Sequence, residues 1–349
     1  MKFIKKNELK EQNPNNRIYA IDTIKTLLIF LVVFGHCLEI NLEGNNKLIY
    51  CIIYIFHIPL FAFCSGYLFK FDRKKIIIKI LLPYFLFQTI YTIFNCIYLQ
   101  DKSIVLNYTT PYWIMWYMMS LAFWGIFTIF FDTKNIKKEI IIVIFTFLIG
   151  IIVGLDNSVG YYLSLSRTIV FLPFFILGFY AKKWINVWEI KDKIKAIKKI
   201  IIGIVLFIIM ILIVYYIYTQ YKNWNVSWLY GSYPYDQINY SFVIRILQYI
   251  FSILIIIFVF WIIPNRRNFL NYIGRNTLII YLMHGFIIKS VSKENYIKYN
   301  SNIEFLIKIS ILAIAIILIL PLPVELIKKI KNKIENKKIA IKSNGDVDN

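Results

Sequence analysis

The chain has only three histidines, and each lies inside a long apolar run: His36, His57 and His284. An ionisable side chain is costly inside a membrane and therefore usually faces a cavity, a polar partner or a substrate pathway. A neutral imidazole can also take the proton from a hydroxyl group that attacks a substrate. The three residues are therefore candidate catalytic bases, with a structural hydrogen bond as the alternative role of each.

The first apolar run carries polar residues at helical spacing. Lys25 precedes His36 by eleven residues, so the two lie about 20° apart around a helix and about 16 Å apart along it. Asp22 is three residues before Lys25. Glu39 is three residues after His36, so each basic group has a carboxylate one turn away. This spacing predicts a polar stripe that lines a channel from a cationic end to an imidazole end.

The second apolar run places His57 two residues before Pro59, and the small pair Ser65-Gly66 follows. If the first two runs pack as helices of opposite direction, His36 and His57 meet at similar depth. Pro59 frees a backbone carbonyl and Gly66 permits a close helix approach, and both features often accompany a cavity. An ordinary kinked helix with small contact residues is the alternative.

The ninth apolar run holds His284 one turn after Tyr281. Asn276 or Thr277 can cap the start of this helix, and Tyr281 can hydrogen-bond to neighbouring groups. For His284 a structural role is therefore favoured over a catalytic one.

These runs belong to a chain with the composition of a membrane protein. Hydrophobic residues make up 59% and mean hydropathy is +0.63, well above the roughly half-apolar composition of soluble domains. Runs of this kind cross a ~30 Å hydrocarbon core as helices. The predicted fold class is all-α, a bundle of about ten transmembrane helices. The spans are placed at 20–40, 48–69, 76–99, 112–131, 139–155, 167–181, 199–219, 242–263, 276–291 and 303–323.

Basic residues collect in alternate connections, which is typical of loops on the cytoplasmic side. This alternation requires an even number of spans and predicts that both termini are cytoplasmic. The first apolar run starts too late and is too long for a cleaved signal peptide. We therefore expect a basic cytoplasmic segment at 1–19, one membrane domain at 20–323 and a basic cytoplasmic tail at 324–349.

The net charge of +21 does not indicate nucleic-acid binding, because the cations flank the spans and suit anionic lipid headgroups. The four cysteines form no C-x-x-C pair, so no metal site is expected. A disulfide between Cys37 and Cys51 is an open alternative to two free packing residues. The aromatic connection 220–241 is suited either to stacking on sugar rings or to an interfacial aromatic belt.

Six segments carry a family resemblance in chain order: IDTIKTLLIFLVVFGH, FHIPLFAFCSGYLF, LLPYFLF, WIMWYMMSL, FLPFFILGFY and IGRNTLIIYLMH. Together they resemble the acyltransferase-3 family of integral membrane acyltransferases, particularly its fucose 4-O-acetylase-like group. The resemblance implies an O-acyltransferase, most often an O-acetyltransferase, in the bacterial plasma membrane. Its donor would be acyl-coenzyme A, usually acetyl-CoA, and its acceptor a sugar, polysaccharide or lipid-linked glycan of the cell envelope.

The family pattern in the first span is a basic residue, ten residues and a histidine, which Lys25 and His36 match. Lys25 keeps the charge of the commoner arginine but lacks its bidentate fork. The family's paired arginines after the second span correspond to KFDRKK, which supplies Arg73, Lys74 and Lys75. The resemblance implies that Lys25, Arg73 and Lys74 bind the phosphates of the donor.

For acyl transfer to a hydroxyl, His36 is the predicted general base. Glu39 is expected to orient it, and His57 or a backbone group to stabilise the oxyanion. The remaining polar and aromatic candidates are expected to bind substrate or support the site: Asp22, Ser65, Trp116, Tyr281 and His284.

Other catalytic motifs are lacking: the chain has no G-x-S-x-G, H-E-x-x-H or P-loop sequence, so the chemistry is expected within the helix bundle. The alternative function is a transporter or flippase for an envelope glycan or its precursor, which would use the intramembrane charges as a pathway. A non-catalytic membrane scaffold is a third reading.

Overall fold

The computed structural model describes residues 17–101, 103, 105–184, 196–220, 225–327 and 330. Every regular element in these residues is helical, as the sequence predicts. Ten long helices follow one another along the chain. They are α1 Tyr19–Leu38, α2 Gly44–Leu68, α3 Arg73–Ile97, α4 Trp116–Phe131, α5 Ile136–Ile152, α6 Leu165–Trp184, α7 Ala196–Gln220, α8 Phe242–Ile262, α9 Thr277–Lys293 and α10 Asn302–Ile319.

Each predicted span coincides with one of these helices. Among the described residues, eight helices are long and apolar enough to cross a membrane. The other two predicted spans correspond to α7, with a shorter apolar stretch at Ile201–Tyr216, and to α9, which has 17 residues. The all-α, multi-pass architecture is therefore confirmed.

The helices run in alternating directions, which gives the bundle two distinct ends. At one end the side chain of Lys293 bonds to the carbonyl of Tyr98, and the Tyr98 hydroxyl lies 2.9 Å from Glu294 Oε1. At the other end the amide of Ala20 lies 3.1 Å from Asn265 Oδ1. We call these the His36 end and the Lys25 end, after the residues of α1 nearest to each. The cytoplasmic location of the Lys25 end stays a prediction.

Helices α2 and α6 form the most extensive helix–helix contact among the described residues. A Cβ atom added to Gly66 would overlap the carbonyl oxygen of Phe175, and one added to Gly178 would overlap that of Phe63. Small residues allow such backbone approach where lipid provides no hydrophobic force between helices. This contact fixes the relative position of two helices that line the site.

The kink residue Pro59 leaves the carbonyl of Ile55 without its normal helical donor. Ser252 on α8 supplies a replacement, because its hydroxyl lies 2.9 Å from Ile55 O and 2.7 Å from Gln248 O and shares its hydrogen between these two carbonyls. A backbone group that would be costly to leave unpaired in lipid is thus satisfied by a neighbouring helix.

Some predictions concern segments that the structure does not describe. The basic residues 1–16, the basic connection 185–195, residues 221–224 and the tail beyond 330 lie outside the described residues. All four cysteines are described and all are free. The disulfide considered between Cys37 and Cys51 is therefore not formed; both side chains are buried packing residues.

Candidate active site

A cavity of about 850 Å³ lies between helices α1, α2, α3, α4, α6 and α9. Its wall follows α1 from Lys25 through Val32 to His36 and Glu39. These positions share one face of the helix, as their spacing predicts. A single cavity therefore connects a cationic end to an imidazole end.

The Glu39 carboxylate accepts hydrogen bonds from three side chains at the His36 end. Its Oε1 atom lies 2.9 Å from His36 Nδ1, 3.1 Å from the Tyr50 hydroxyl and 3.3 Å from the Tyr54 hydroxyl. The Tyr50 hydroxyl also lies 2.9 Å from that of Tyr230. The carboxylate is therefore held by a network that reaches from α1 across α2 to the connection before α8.

This network selects one tautomer of His36. A carboxylate oxygen accepts hydrogen bonds, so the contact with Glu39 requires the proton of the neutral ring to lie on Nδ1. The lone pair is then on Nε2, which is the nitrogen available to accept a proton. The pairing of carboxylate and imidazole matches the arrangement by which an acid residue orients a catalytic histidine.

Aromatic rings pack on His36 from two helices. The ring centroid of Trp113 lies 4.7 Å and that of His284 5.4 Å from the His36 ring. His284 is fully buried, and its Nδ1 donates to the carbonyl of Ile280 at 3.0 Å. His284 does not line the cavity, so its position suits a residue that holds the His36 ring in place.

His57 does lie in the cavity wall, but Tyr54 lies between it and His36. The Tyr54 ring centroid is 4.5 Å from that of His57 and 6.3 Å from that of His36. His57 Nδ1 donates to the carbonyl of Ile53 at 2.8 Å. The two histidines meet at similar depth, as expected, but through an intervening tyrosine.

Lysines dominate the Lys25 end of the cavity. Besides Lys25 itself, the wall includes Lys70, Lys75 and Lys79. Lys75 and Lys79 share a face of α3, since residues four apart lie on adjacent turns. The donor-binding residues chosen from the sequence, Arg73 and Lys74, point away from that face by helical geometry and do not contribute to the wall.

Asp72 orders this lysine cluster. Its carboxylate accepts from the backbone amide of Lys75 at 3.1 Å and lies 3.0 Å from the Lys75 ammonium. These two contacts, the backbone hydrogen bond first, hold the pKa of Asp72 below its usual value. Asp72 thus caps the start of α3 and keeps one cation at the mouth of the cavity.

Asp22 does not pair with Lys25, contrary to the expectation from their spacing. Both of its oxygens accept from Arg17, at 2.6 Å from Nε and 3.2 Å from Nη2. The planar guanidinium matches a carboxylate with two hydrogen bonds, which a lysine cannot do. Lys25 therefore has no carboxylate partner in the described part of the chain and stays available to a ligand.

The other sequence candidates lie in the wall. Ser65 lies 2.9 Å from the Tyr117 hydroxyl, and Tyr281 donates to the carbonyl of Ile114. Trp116 lies under the guanidinium of Arg167, with 5.1 Å between the ring centroid and Cζ. All three candidates are cavity residues, and the described residues contain no group of three or more acidic, histidine or cysteine side chains able to hold a metal ion.

In comparison with known proteins, a family model described as an acyltransferase domain matches residues 18–324 of the chain. The chain belongs to the acyltransferase-3 family. The family resemblance of the six short segments is thus confirmed over nearly the whole described bundle. Both ends of the cavity, the one lined by lysines and the one lined by His36, lie within the matched domain of this acyltransferase-3 protein.

Among curated proteins, this acyltransferase-3 chain is similar to the nodulation protein NolL of Sinorhizobium fredii (strain NBRC 101917 / NGR234). The two are 42% identical over 59 residues, a segment that covers 16% of each protein. No solved structure matches the chain.

Sequence reasoning missed several residues of the site. Tyr50, Tyr54 and Trp113 gave no signal, because tyrosine and tryptophan are frequent in this chain and common at membrane interfaces. Arg167 did give a signal: it is an ionisable residue at the start of a predicted span, to which the argument used for the histidines applies equally.

Proposed function

We propose that this acyltransferase-3 protein is an O-acyltransferase that moves an acyl group, acetyl above all, from acyl-coenzyme A to a hydroxyl of a cell-envelope glycan. The observation that carries the proposal is the single cavity with lysines at one end and the His36–Glu39 pair at the other. The two ends suit two different substrates, one polyanionic and one bearing a hydroxyl.

The donor suits the Lys25 end. Coenzyme A carries several phosphate charges, and Lys25, Lys75 and Lys79 offer cations without a bidentate geometry requirement. Its pantetheine arm is long and flexible, so it can extend along the cavity toward the other end. Lys25 and His36 are separated by about 16 Å along α1, which the arm would have to span with the thioester near His36.

In the proposed reaction the acceptor hydroxyl attacks the thioester carbonyl while His36 Nε2 takes the hydroxyl proton. Collapse of the tetrahedral intermediate breaks the carbon–sulfur bond, forms the ester and releases coenzyme A, whose thiolate takes up the proton. The Glu39 carboxylate stabilises the imidazolium that exists between the two proton transfers. General base catalysis of this kind contributes about 10²–10⁴ in rate.

The group that stabilises the oxyanion must donate a hydrogen bond to it. With its Nδ1 proton donated to Ile53, neutral His57 has a lone pair on Nε2 and would donate there only after taking up a proton. A tyrosine hydroxyl of the wall, such as Tyr117, is a donor in its neutral form. We include His57 and Tyr117 as the candidates for this role.

The proposed location is the bacterial plasma membrane, with the Lys25 end toward the cytoplasm, where acyl-coenzyme A is found. The experiment is acyl transfer by the full-length protein in sealed proteoliposomes, with labelled acetyl-CoA and glycan extracted from cells that lack the gene. Ester label on the glycan supports the proposal. Glycan that crosses the membrane without gaining an acyl group would support a flippase instead.

A further inference from the structure

We propose that Arg167 binds a negatively charged group of the acceptor, a carboxylate or a phosphate carried close to the hydroxyl that is acylated. The inference rests on the proposed function, because it takes the His36 end of the cavity as the acceptor side. It adds a substrate class: the acceptor is an anionic glycan and not a neutral one.

Arg167 is a fixed cation in the cavity wall. Its Nε donates to the Ser232 hydroxyl at 2.5 Å. The rings of Trp116, Tyr161 and Tyr230 surround its Cζ, with centroids at 5.1, 5.4 and 5.9 Å. These contacts orient the guanidinium plane, and no described residue hydrogen-bonds to its paired Nη groups, which can make the two parallel hydrogen bonds that carboxylates and phosphates accept.

No carboxylate pairs with Arg167 among the residues that the structure describes. Other cations near helix ends do have such partners: Lys183 Nζ lies 2.9 Å from Asp132 Oδ1 and 3.3 Å from Glu139 Oε1. A cation held inside a membrane protein without a counter-ion is costly.

Arg245 also has no carboxylate partner among the described residues, but its Nη groups reach the carbonyl of Gly150 and the hydroxyl of Tyr240 away from the cavity wall. Arg167 lines the cavity instead, where a ligand can supply the missing negative charge.

Arg167 lies at the acceptor side of the cavity. Tyr230, whose ring contacts the guanidinium, lies 2.9 Å from the Tyr50 hydroxyl, which in turn lies 3.1 Å from Glu39 Oε1. One chain of contacts thus connects Arg167 to the carboxylate that holds His36. The phosphates of the donor have their own lysines at the opposite end, so an anion at Arg167 belongs to the acceptor.

The test is binding of three sugars to the full-length protein in detergent: glucuronate, glucose 1-phosphate and neutral glucose. We expect at least one anionic sugar to bind about tenfold or more tightly than glucose, as hydrogen bonds to charged groups do. Tighter binding of glucuronate would indicate a carboxylate on the acceptor, and tighter binding of glucose 1-phosphate would indicate a phosphate. Equal binding of all three sugars, or no measurable binding of either anion, would overturn the proposal.

Variants separate recognition from folding. Arg167→Gln should remove the preference for the anion, and Arg167→Lys should retain part of it. The matched control is Arg245→Gln, since Arg245 is also an arginine among tyrosines, but it is buried and absent from the cavity wall. This control should keep the preference. A preference that survives Arg167→Gln would overturn the assignment.

Acyl transfer is measured on the same preparations. A wild-type protein that prefers anionic sugars but transfers no acyl group to any glycan would contradict the proposed function and leave the anion site intact. Transfer that Arg167→Gln slows equally for neutral and anionic acceptors would instead assign Arg167 to the oxyanion, against this inference.

Discussion

His36 Nδ1 lies 2.9 Å from Glu39 Oε1, across a single helical turn at the end of α1. The pair is partly accessible from the cavity, with 14% of the His36 side chain and 30% of the Glu39 side chain exposed. Because Tyr50 and Tyr54 donate to the same oxygen, the carboxylate keeps its position when the imidazole changes charge. The structure therefore holds the His36–Glu39 pair in one orientation at the wall of the cavity, as the proposed role of His36 as a base requires.

The first prediction concerns the tautomer of His36. In Glu39→Gln the amide can turn its N–H toward Nδ1 and favour the ring with its proton on Nε2, which cannot act as the base. We expect kcat to fall by about 10²–10⁴-fold, with little change in thermal stability. The control is Glu43→Gln, an exposed acid close in the chain. Similar losses in both variants would indicate a general charge effect.

A second prediction concerns Gly35, which allows the Tyr54 ring to approach α1. A Cβ atom at this position would lie 2.9 Å from Tyr54 Cε2, so Gly35→Ala should displace the ring and weaken its bond to Glu39. We expect a roughly tenfold loss of activity, as for one lost hydrogen bond to a charged group. Gly160→Ala is the control, because no atom lies within 4 Å of the added Cβ. Unchanged activity in Gly35→Ala would remove Tyr54 from the network.

A third prediction concerns stability rather than chemistry. Gly66→Ala and Gly178→Ala each place a Cβ against the backbone of the facing helix, which cannot yield as a side chain can. We expect each to lower the free energy of unfolding by about 1–3 kcal/mol, measured by thermal or denaturant unfolding in detergent. The Gly160→Ala variant should unfold like the wild type. Wild-type stability in both helix variants would mean that α2 and α6 do not pack this closely.

The fourth prediction separates cations in the cavity wall from their neighbours. Lys25→Ala and Lys75→Ala should raise the KM for acetyl-CoA several-fold and leave that for the acceptor nearly unchanged, because only the donor carries phosphates at that end. Lys74→Ala, one residue from Lys75 but off the wall, is the control. A larger effect of Lys74→Ala than of Lys75→Ala would favour the donor residues chosen from the sequence.

Much of this architecture was readable from the sequence because membranes impose simple rules. Apolar runs located all ten helices, and helical spacing alone placed Lys25, His36 and Glu39 on one face of α1. These are local properties of one segment, and the hydrocarbon solvent leaves few alternatives to a helix.

The sequence was a weaker guide to contacts between distant segments and to the direction in which a side chain points from its helix. Asp22 was expected beside Lys25, but Arg17, in a segment read only as polar, is the better match for its carboxylate. Of the three basic residues that KFDRKK supplies, only Lys75 lines the cavity, because a motif gives residue type and not the angle around α3. Tyr230 reaches Tyr50 from 180 residues away, which no spacing rule reveals.

The central claim is that this protein adds an acyl group through His36, and mass spectrometry of envelope glycans tests it most directly. Three strains are compared: one with the wild-type gene, one without the gene and one with His36→Ala expressed at wild-type level in the membrane. We predict an acyl mass on a glycan of the first strain that is absent from both others. The same acyl mass in the His36→Ala strain would contradict the account.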